Sequence, residues 1–316
     1  RGDGTLIGLS YDPANNTIGW HQHPLGNSGV VESITAIPSG VEDQVYMSVK
    51  RTINSETVRH IVFMKPIYFD EDLTEAFYVD SGLTYTGTAA ATSTLSSDIT
   101  DTATSLQIAS ALNFAATGLI KIDDEVIAYD SRTPGGAFPG IVGTVTRGSN
   151  GTTAAAHSAG ATVTDVSPTT ITGLNHLEGE TVQIAGDGEA RTDKTVSGGS
   201  ITTDLRVAKA HIGYGYDSIV ETMRMEAGAD DGIAQGKIKR IHGVTVRFLD
   251  TFGADVGPDT SSLDSISFDA GVLFSGDKEI NFPSGYENEA RIVVRQNEPL
   301  PMSIIAIMRR SNTFDA

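Results

Sequence analysis

Apolar residues recur at every second position in five short runs near the start of the chain. The runs span residues 5–11, 18–23, 30–38, 44–52 and 58–64, with turn-forming residues between them. In the fourth run Val45, Met47 and Val49 share one face, and the residues between them share the other. Such alternation places one strand face on a core, so it predicts an antiparallel meander. A meander of this length corresponds to about one blade of a β-propeller, or to part of a sandwich.

The composition changes at Leu83, where Thr, Ala, Ser and Gly replace most of the large apolar residues. Short strand-like segments follow, and residues 122–127 (IDDEVI) predict a tight hairpin. This self-contained pattern ends near Pro168. It predicts a small β module inserted between two parts of a larger domain.

The remaining residues return to longer apolar runs, and the last of them is Ile304 to Met308. That run is apolar on both faces, so we expect both faces of the strand, with Ile305 and Ile307, to be buried. The sequence as a whole predicts an all-β fold. Its parts are a partial β-propeller-like meander (1–82), a small inserted β module (83–168) and a C-terminal antiparallel β domain (169–316).

Charge and composition narrow the possible functions. The net charge is −18, from 40 acidic and 22 basic residues, and basic residues cluster only in short pairs such as Lys50-Arg51. A protein that grips nucleic acid needs a basic patch, so this balance disfavours tight DNA binding. Cysteine is absent, and no apolar run approaches the roughly 18–20 residues of a membrane span.

Catalytic and metal-binding motifs are weak. The chain has no G-x-S-x-G and no H-E-x-x-H motif. His21 and His23 share one strand face and form a possible metal pair, but a zinc site needs about three or four ligands. We therefore expect neither an enzyme nor a cofactor.

Several sequence blocks occur in an order typical of one protein family. In the meander they are residues 20–23 (WHQH), 31–38 (VESITAIP) and 45–54 (VYMSVKRTIN). In the last third they are 177–182 (LEGETV), 196–201 (VSGGSI), 212–216 (IGYGY), 239–241 (KRI) and 298–308 (EPLPMSIIAIM). This order resembles the tail nozzle, or tail tubular protein B, of short-tailed bacteriophages. Residues 143–163 are similar to a small β module inserted in many phage tail and fibre proteins.

The resemblance covers 1–82 and 169–316 and corresponds to the C-terminal portion of a nozzle protein. An upstream portion is then missing from this chain, or the chain is a shortened relative. The resemblance implies a structural virion protein of the tail, in a homo-oligomeric, sixfold ring around the DNA ejection channel. The implied partners are a tubular protein A-like adaptor ring, tail fibres or spikes, the host cell envelope, and genomic DNA that passes without tight binding.

Acidic turns are the candidate channel-lining residues under this interpretation, because carboxylates repel DNA phosphates. The candidates are Asp70, Glu71, Asp72, Asp187, Glu189, Asp230 and Asp231. Two other functions stay open: an adhesin that binds a host glycan or protein through the inserted module, and a tail-associated hydrolase.

Overall fold

The computed structural model describes residues 1–40, 42–133, 140–226, 236–269, 271–280, 282 and 285–314. Strands account for 55% of the chain and helix for 2%, which confirms the all-β prediction. The chain divides into two compact units. The first comprises Arg1–Leu83, Gly179–Asp193 and His211–Ala316, and the second comprises Thr84–Glu178 and Lys194–Ala210. Within the described ranges, no helix has the length and apolar character needed to cross a membrane.

Strands follow one another with only two single-turn 3-10 helices in the described part of the chain. The first ten strands are β1 (Leu6–Asp12), β2 (Thr17–His23), β3 (Val30–Ser39), β4 (Glu42–Ile53), β5 (Glu56–Phe63), β6 (Asp80–Thr86), β7 (Thr92–Thr94), β8 (Leu106–Gln107), β9 (Gly118–Ile122) and β10 (Glu125–Thr133). The next eight are β11 (Gly140–Ser149), β12 (Thr162–Asp165), β13 (Thr170–Thr172), β14 (Thr181–Gly186), β15 (Glu189–Thr195), β16 (Ser200–Thr202), β17 (Lys209–Tyr214) and β18 (Ser218–Glu221). The last six are β19 (Ile238–Thr251), β20 (Asp255–Asp259), β21 (Ser262–Ser265), β22 (Phe274–Ile280), β23 (Val293–Gln296) and β24 (Ile304–Phe314). The helices are η1 (Gly26–Ser28) and η2 (Asn175–Leu177).

The five predicted strands at the start of the chain are β1 to β5, each within two residues of its predicted bounds. They form two sheets instead of one meander: β1 pairs with β2, and β3-β4-β5 form a separate antiparallel, propeller-like sheet. The break falls at η1, where Asn27 and Ser28 adopt positive φ and redirect the chain. The predicted alternation of β4 is confirmed, because Met47 and Val49 are buried.

The C-terminal part of the first unit contains the sheets β18-β23-β20-β21 and β22-β19-β24. Val244, Val246 and Phe248 of β19 lie in its core, and Ile304 and Ile307 of β24 pack against that core. The prediction that both faces of the last strand are buried is wrong for Ile305, which is 59% exposed. Strand β24 is an edge strand, and the register between Arg247 and Phe248 skips Ile305, so a bulge turns this residue to solvent.

The second unit contains the six-stranded sheet β7-β12-β9-β10-β11-β8 and the pair β13-β16. The predicted hairpin is present: Ile122 faces Glu125 across a two-residue turn, and Asp123 has a φ of 50°. The predicted module 83–168 makes up most of this unit, which continues to Glu178 and includes Lys194–Ala210. It extends further along the chain because β16 pairs with β13. The division into three domains stays a prediction.

Candidate functional site

The acidic run at Asp70 forms an exposed turn between β5 and β6. Asp70 and Glu71 both adopt positive φ, at 54° and 60°. Asp72 fixes the next turn, since its Oδ1 accepts hydrogen bonds from the Thr74 backbone N–H (2.9 Å) and hydroxyl (2.8 Å). Short acidic side chains tolerate the left-handed region and bond to nearby backbone, which explains why this sequence forms a turn here.

The second acidic turn joins β14 to β15. Asp187 and Gly188 occupy its two central positions with φ of 54° and 79°, the geometry that favours Asp-Gly in tight hairpins. Asp187 is exposed. Glu189 is half-buried, and its carboxylate pairs with the Arg191 guanidinium at 3.2 Å.

The fold brings these two turns together. A Cβ placed on Gly188 would lie 2.8 Å from the Leu73 Cβ and 3.6 Å from the Thr74 nitrogen. The backbone of the second turn therefore lies directly against the residues that follow Asp72, and only glycine fits there. Asp70, Glu71, Asp72, Asp187 and Glu189 thus belong to one region, which we call the acidic turn pair.

His211 of β17 fixes the position of the first turn. This histidine is buried, and its Nε2 lies 3.0 Å from the Thr74 carbonyl oxygen. The carbonyl can only accept, so Nε2 carries the proton in this contact. The ring also packs edge-on against Phe77, with centroids 5.0 Å apart. The carboxylates of the turn are therefore exposed, while the backbone beneath them is held from inside the unit.

The electrostatic effect of the first turn is visible on its neighbour Tyr68. A hydrogen bond from the Tyr68 hydroxyl to Asp70 (3.0 Å) raises the pKa of Tyr68, and the charges of Asp70 and Glu71 raise it further. The Tyr68 hydroxyl is therefore held in its protonated form by the carboxylates of this turn. Asp230 and Asp231, the two remaining candidates, lie outside the described residues.

Two further carboxylates belong to an acidic region that sequence reasoning missed. Burial raises the pKa of Asp193. Burial also raises the pKa of Glu298, with a further contribution from the charges of Asp193 and Asp255. These positions are far apart in the sequence, and no local pattern marks them as neighbours.

Arg51 is a buried cation that the alternation of β4 could have revealed. It follows Met47 and Val49 on the core face, and its side chain is fully buried. Its guanidinium binds the Asp80 carboxylate, the Ser81 hydroxyl (2.9 Å) and the Gly26 carbonyl (3.2 Å). A charged side chain on the core-facing side of a strand requires a partner of opposite charge, and here β6 supplies that partner, Asp80.

Glu125 is the centre of a second buried ion pair, in the second unit. Its two carboxylate oxygens accept from Arg147 Nε (2.8 Å) and Nη2 (2.7 Å), and from the backbone N–H groups of Gly148 (2.9 Å) and Ala155 (3.1 Å). His157 Nε2 lies 2.9 Å from the same carboxylate. Burial alone would raise the pKa of Glu125, but the hydrogen bonds from Arg147 and His157 outweigh it and lower this pKa to about 2.

This network explains the motif at residues 143–163. The end of β11 supplies Arg147 and the Gly148 N–H, and the segment before β12 supplies His157, whose Nδ1 lies 2.8 Å from the Asp123 carboxylate. His157 thus contacts carboxylates on both sides of the hairpin turn, those of Asp123 and Glu125. The network joins the β9–β10 hairpin to the segment that follows β11.

The possible metal pair on β2 has no third His, Asp or Glu grouped with it in the described part of the chain. The rings of His21 and His23 stand edge to face with centroids 4.8 Å apart. Burial lowers the pKa of His23, and the neighbouring His21 lowers it further. Within the described ranges, no three His, Cys, Asp or Glu side chains are grouped closely enough to hold a metal ion.

No protein-family model and no curated protein matches the chain. The resemblance to tail nozzle proteins therefore rests on the sequence blocks quoted above. Three of those blocks lie on strands that follow one another along the chain: residues 20–23 end β2, residues 31–38 lie in β3, and residues 45–53 lie in β4. Of these strands, β3 and β4 pair in one sheet, whereas β2 belongs to another.

Proposed function

We propose that this protein is a structural subunit of a bacteriophage tail nozzle, a ring that encloses the channel through which DNA leaves the virion. The observation that carries the proposal is the acidic turn pair. Two turns about 115 residues apart in the chain are packed against each other and present their carboxylates to solvent on an all-β scaffold. In the proposed ring they form part of the channel wall.

An acidic wall suits a channel that must not hold its cargo. Duplex DNA carries about one negative charge per 1.7 Å of its axis. Lysines on the wall would bind phosphates and release counterions, so DNA would adhere. Carboxylates repel phosphates over a Debye length of about 8 Å at physiological salt, which keeps a hydrated gap without blocking entry.

Two basic pairs of the sequence have one member buried, so fewer of their cations can reach DNA than the count of Lys and Arg indicates. In the pair Lys50-Arg51, the Arg51 side chain is fully buried against Asp80. In the pair Lys239-Arg240, Lys239 is buried and its ammonium donates to the Asn288 carbonyl at 2.8 Å. Each of these two pairs therefore has at most one cation that can reach a phosphate. In a third pair, Arg309-Arg310, the exposed Arg310 guanidinium binds the Glu279 carboxylate. These contacts support weak interaction with DNA.

Negative-stain imaging of the purified chain tests the ring. We expect closed rings with a central opening, because a repeated head-to-tail contact closes when its rotation allows. Single particles without an opening at all concentrations would contradict the proposal.

A DNA-binding comparison tests the wall. The triple variant Asp70→Asn/Asp72→Asn/Asp187→Asn keeps the side-chain acceptors and the turn preferences but removes three charges. A matched control, Asp43→Asn/Glu56→Gln/Asp264→Asn, removes three exposed charges elsewhere in the first unit. We expect no sub-micromolar affinity of wild-type rings for duplex DNA at low salt, and tighter binding by the triple variant than by the control. Sub-micromolar wild-type affinity, or equal binding by the two variants, would contradict an acidic wall.

A further inference from the structure

Arg132, near the end of β10, carries buried N–H groups that have no acceptor. Its Nε and Nη1 atoms are buried, and neither has a hydrogen-bond partner among the described residues. The guanidinium is charged at every physiological pH. A buried charge is costly unless it is paired, so this side chain requires an acceptor that the described chain does not supply. The residue as a whole is only half-buried, so a solute can reach the guanidinium from its open side.

Two other arginines show how this chain pairs a buried guanidinium. The Arg51 side chain is fully buried and binds the Asp80 carboxylate. Arg147 is nearly buried, and its Nε and Nη2 both donate to the Glu125 carboxylate, at 2.8 and 2.7 Å. In both cases a carboxylate from another strand supplies the counter-charge. The buried nitrogens of Arg132 have no such contact in the described part of the chain.

Tyr129 shows which charged groups lie near Arg132. Its hydroxyl donates to the Ala115 carbonyl at 3.0 Å. Burial raises the pKa of Tyr129 to about 12; the charge of Asp165 also raises it, and the charge of Arg132 lowers it. Arg132 and Asp165 are therefore both within electrostatic reach of this one hydroxyl, which is neutral at physiological pH.

The Asp165 carboxylate is engaged by groups other than Arg132. Asp165 is buried, and its Oδ1 accepts from the Ser167 backbone N–H (3.0 Å) and hydroxyl (2.6 Å). Its Oδ2 lies 3.3 Å from Arg206 Nη1. Asp130, two residues before Arg132, is exposed and accepts from a backbone N–H of β11 at 2.8 Å. Neither carboxylate therefore satisfies the buried nitrogens of Arg132.

Arg206 adds a second cation to this region. Its Nη2 donates to the Thr88 carbonyl (3.2 Å) and hydroxyl (3.0 Å). Its Nε is buried and has no acceptor among the described residues. Two guanidinium groups thus share one buried carboxylate, Asp165, although the chain as a whole has a net charge of −18. A local excess of positive charge with unused N–H donors is stabilised by an added anion.

We propose that Arg132 binds an oxyanion, a carboxylate or phosphate group, beside Tyr129 and Asp165 in the second unit. The guanidinium presents its donors as a planar fork that matches both groups, so it can bind either of them bidentately. Arg206 contributes positive charge and an Nε–H donor to the same region. The site does not depend on the proposed ring, because the acidic turn pair belongs to the first unit.

Arginine-selective NMR of the Nε–H groups tests the site in the wild-type chain. Inorganic phosphate and sodium acetate are titrated separately at constant ionic strength. The variant Arg132→Gln removes the guanidinium and assigns its signal. The control Lys121→Gln removes an exposed cation from β9 of the same unit. Circular dichroism establishes that each variant is folded, and Arg132→Lys, which keeps the charge without the fork, replaces Arg132→Gln if that variant does not fold.

We expect a saturable shift of the Arg132 Nε–H signal, with a Kd of about 1 mM or below for at least one anion. Arg132→Gln should bind that anion at least about tenfold more weakly, because a charge-assisted pair is lost, and Lys121→Gln should bind like wild type. The same anion should raise the Tm of the wild-type chain, because it binds only the folded state. A response to acetate alone assigns a carboxylate ligand, a response to phosphate alone assigns a phosphate ligand, and a response to both supports an oxyanion site that accepts either.

Three results would overturn the proposal. The first is no saturable shift of the Arg132 signal below roughly 10 mM of either anion. The second is an equal loss of binding in Arg132→Gln and Lys121→Gln, which would indicate unspecific screening. The third is a shift confined to other arginine signals. None of them bears on the proposed nozzle, which imaging of the assembled chain tests separately.

Discussion

Two hairpins of this chain follow the same sequence pattern and reach opposite environments. In β9–β10 the apolar positions Ile120, Ile122 and Ile127 are fully buried in the core of the second unit. In β1–β2 the corresponding apolar positions, such as Ile18 and Trp20, lie in solvent. Period-two alternation shows that one strand face requires an apolar partner, but not whether the same chain supplies it.

The turns of the two hairpins differ in the same way. The Asp123-Asp124 turn leads into Glu125, whose carboxylate binds Arg147 and His157 inside the unit. The Asp12 turn is bonded only locally in the described chain, by the Ala14 N–H and by Asn15. The buried and fully paired Glu125 carboxylate holds the β9–β10 hairpin against its own unit. Among the described residues, the β1–β2 hairpin has no such buried ion pair, and its apolar side chains lie in solvent.

Of the changes described here, loss of the Glu125 charge should lower the free energy of unfolding the most. Glu125→Gln leaves Arg147 buried without its counter-ion, and breaking a buried pair costs about 3–5 kcal/mol. Chemical denaturation of the variant, against Asp124→Asn as the neighbouring exposed control, measures the loss. A change of similar size in both variants would mean that the network does not stabilise the hairpin.

Truncating one apolar side chain in each hairpin tests directly whether its apolar face is buried. Ile127→Ala should lower the free energy of unfolding by about 2–5 kcal/mol, because it leaves a cavity in a packed core. Ile18→Ala should change it by no more than about 0.5 kcal/mol in dilute samples, the usual scale for a surface position. Equal effects in denaturant titrations would remove the contrast between the hairpins.

Acid should weaken the β9–β10 hairpin through the same carboxylate. The pKa of Glu125 is lowered from 4.5 to about 2, so the stabilisation is complete above 4.5 and is lost as pH falls towards 2. The shift corresponds to roughly 3 kcal/mol. Thermal unfolding across this window should show that Glu125→Gln loses less stability than wild type. Parallel losses would assign the acid sensitivity to other carboxylates.

The last strand gives a smaller test of the same contrast, within one element. Ile307→Ala, which contacts the core, should cost about 2 kcal/mol, the low end of the range for buried positions. Ile305→Ala, at the exposed bulge, should cost less than about 0.5 kcal/mol. A larger loss for Ile305 in denaturant titrations would place that side chain in a core.

The sequence alone predicted strands and tight turns, but it did not predict which distant segments pair with each other. Strands β1 to β5 and the Ile122–Glu125 turn follow from alternation and turn chemistry, which act over a few residues. The pairing of β13 with β16 joins segments about 30 residues apart, and no periodicity encodes it. The exposure of Ile305 depends on a bulge in an edge strand, so an apolar run alone could not reveal it.

The candidate site shows the same division. The turns at Asp70 and Asp187 were predictable from residue type, but their proximity depends on Gly188 lying against Leu73. The alternation of β4 places Arg51 on the core-facing side of the strand. Its pairing with Asp80 could not be predicted in the same way, because it requires β4 and β6 to meet. The structure adds the long-range contacts that bring these locally predicted turns and strands together.

The most direct test of the proposed nozzle is a cryo-electron microscopy structure of the assembled chain. We expect a closed ring in which the acidic turn pair, with Asp72 and Asp187, faces the central opening and gives it a negative surface potential. A ring whose opening is lined mainly by Lys and Arg, with these turns on the outside, would contradict the proposal.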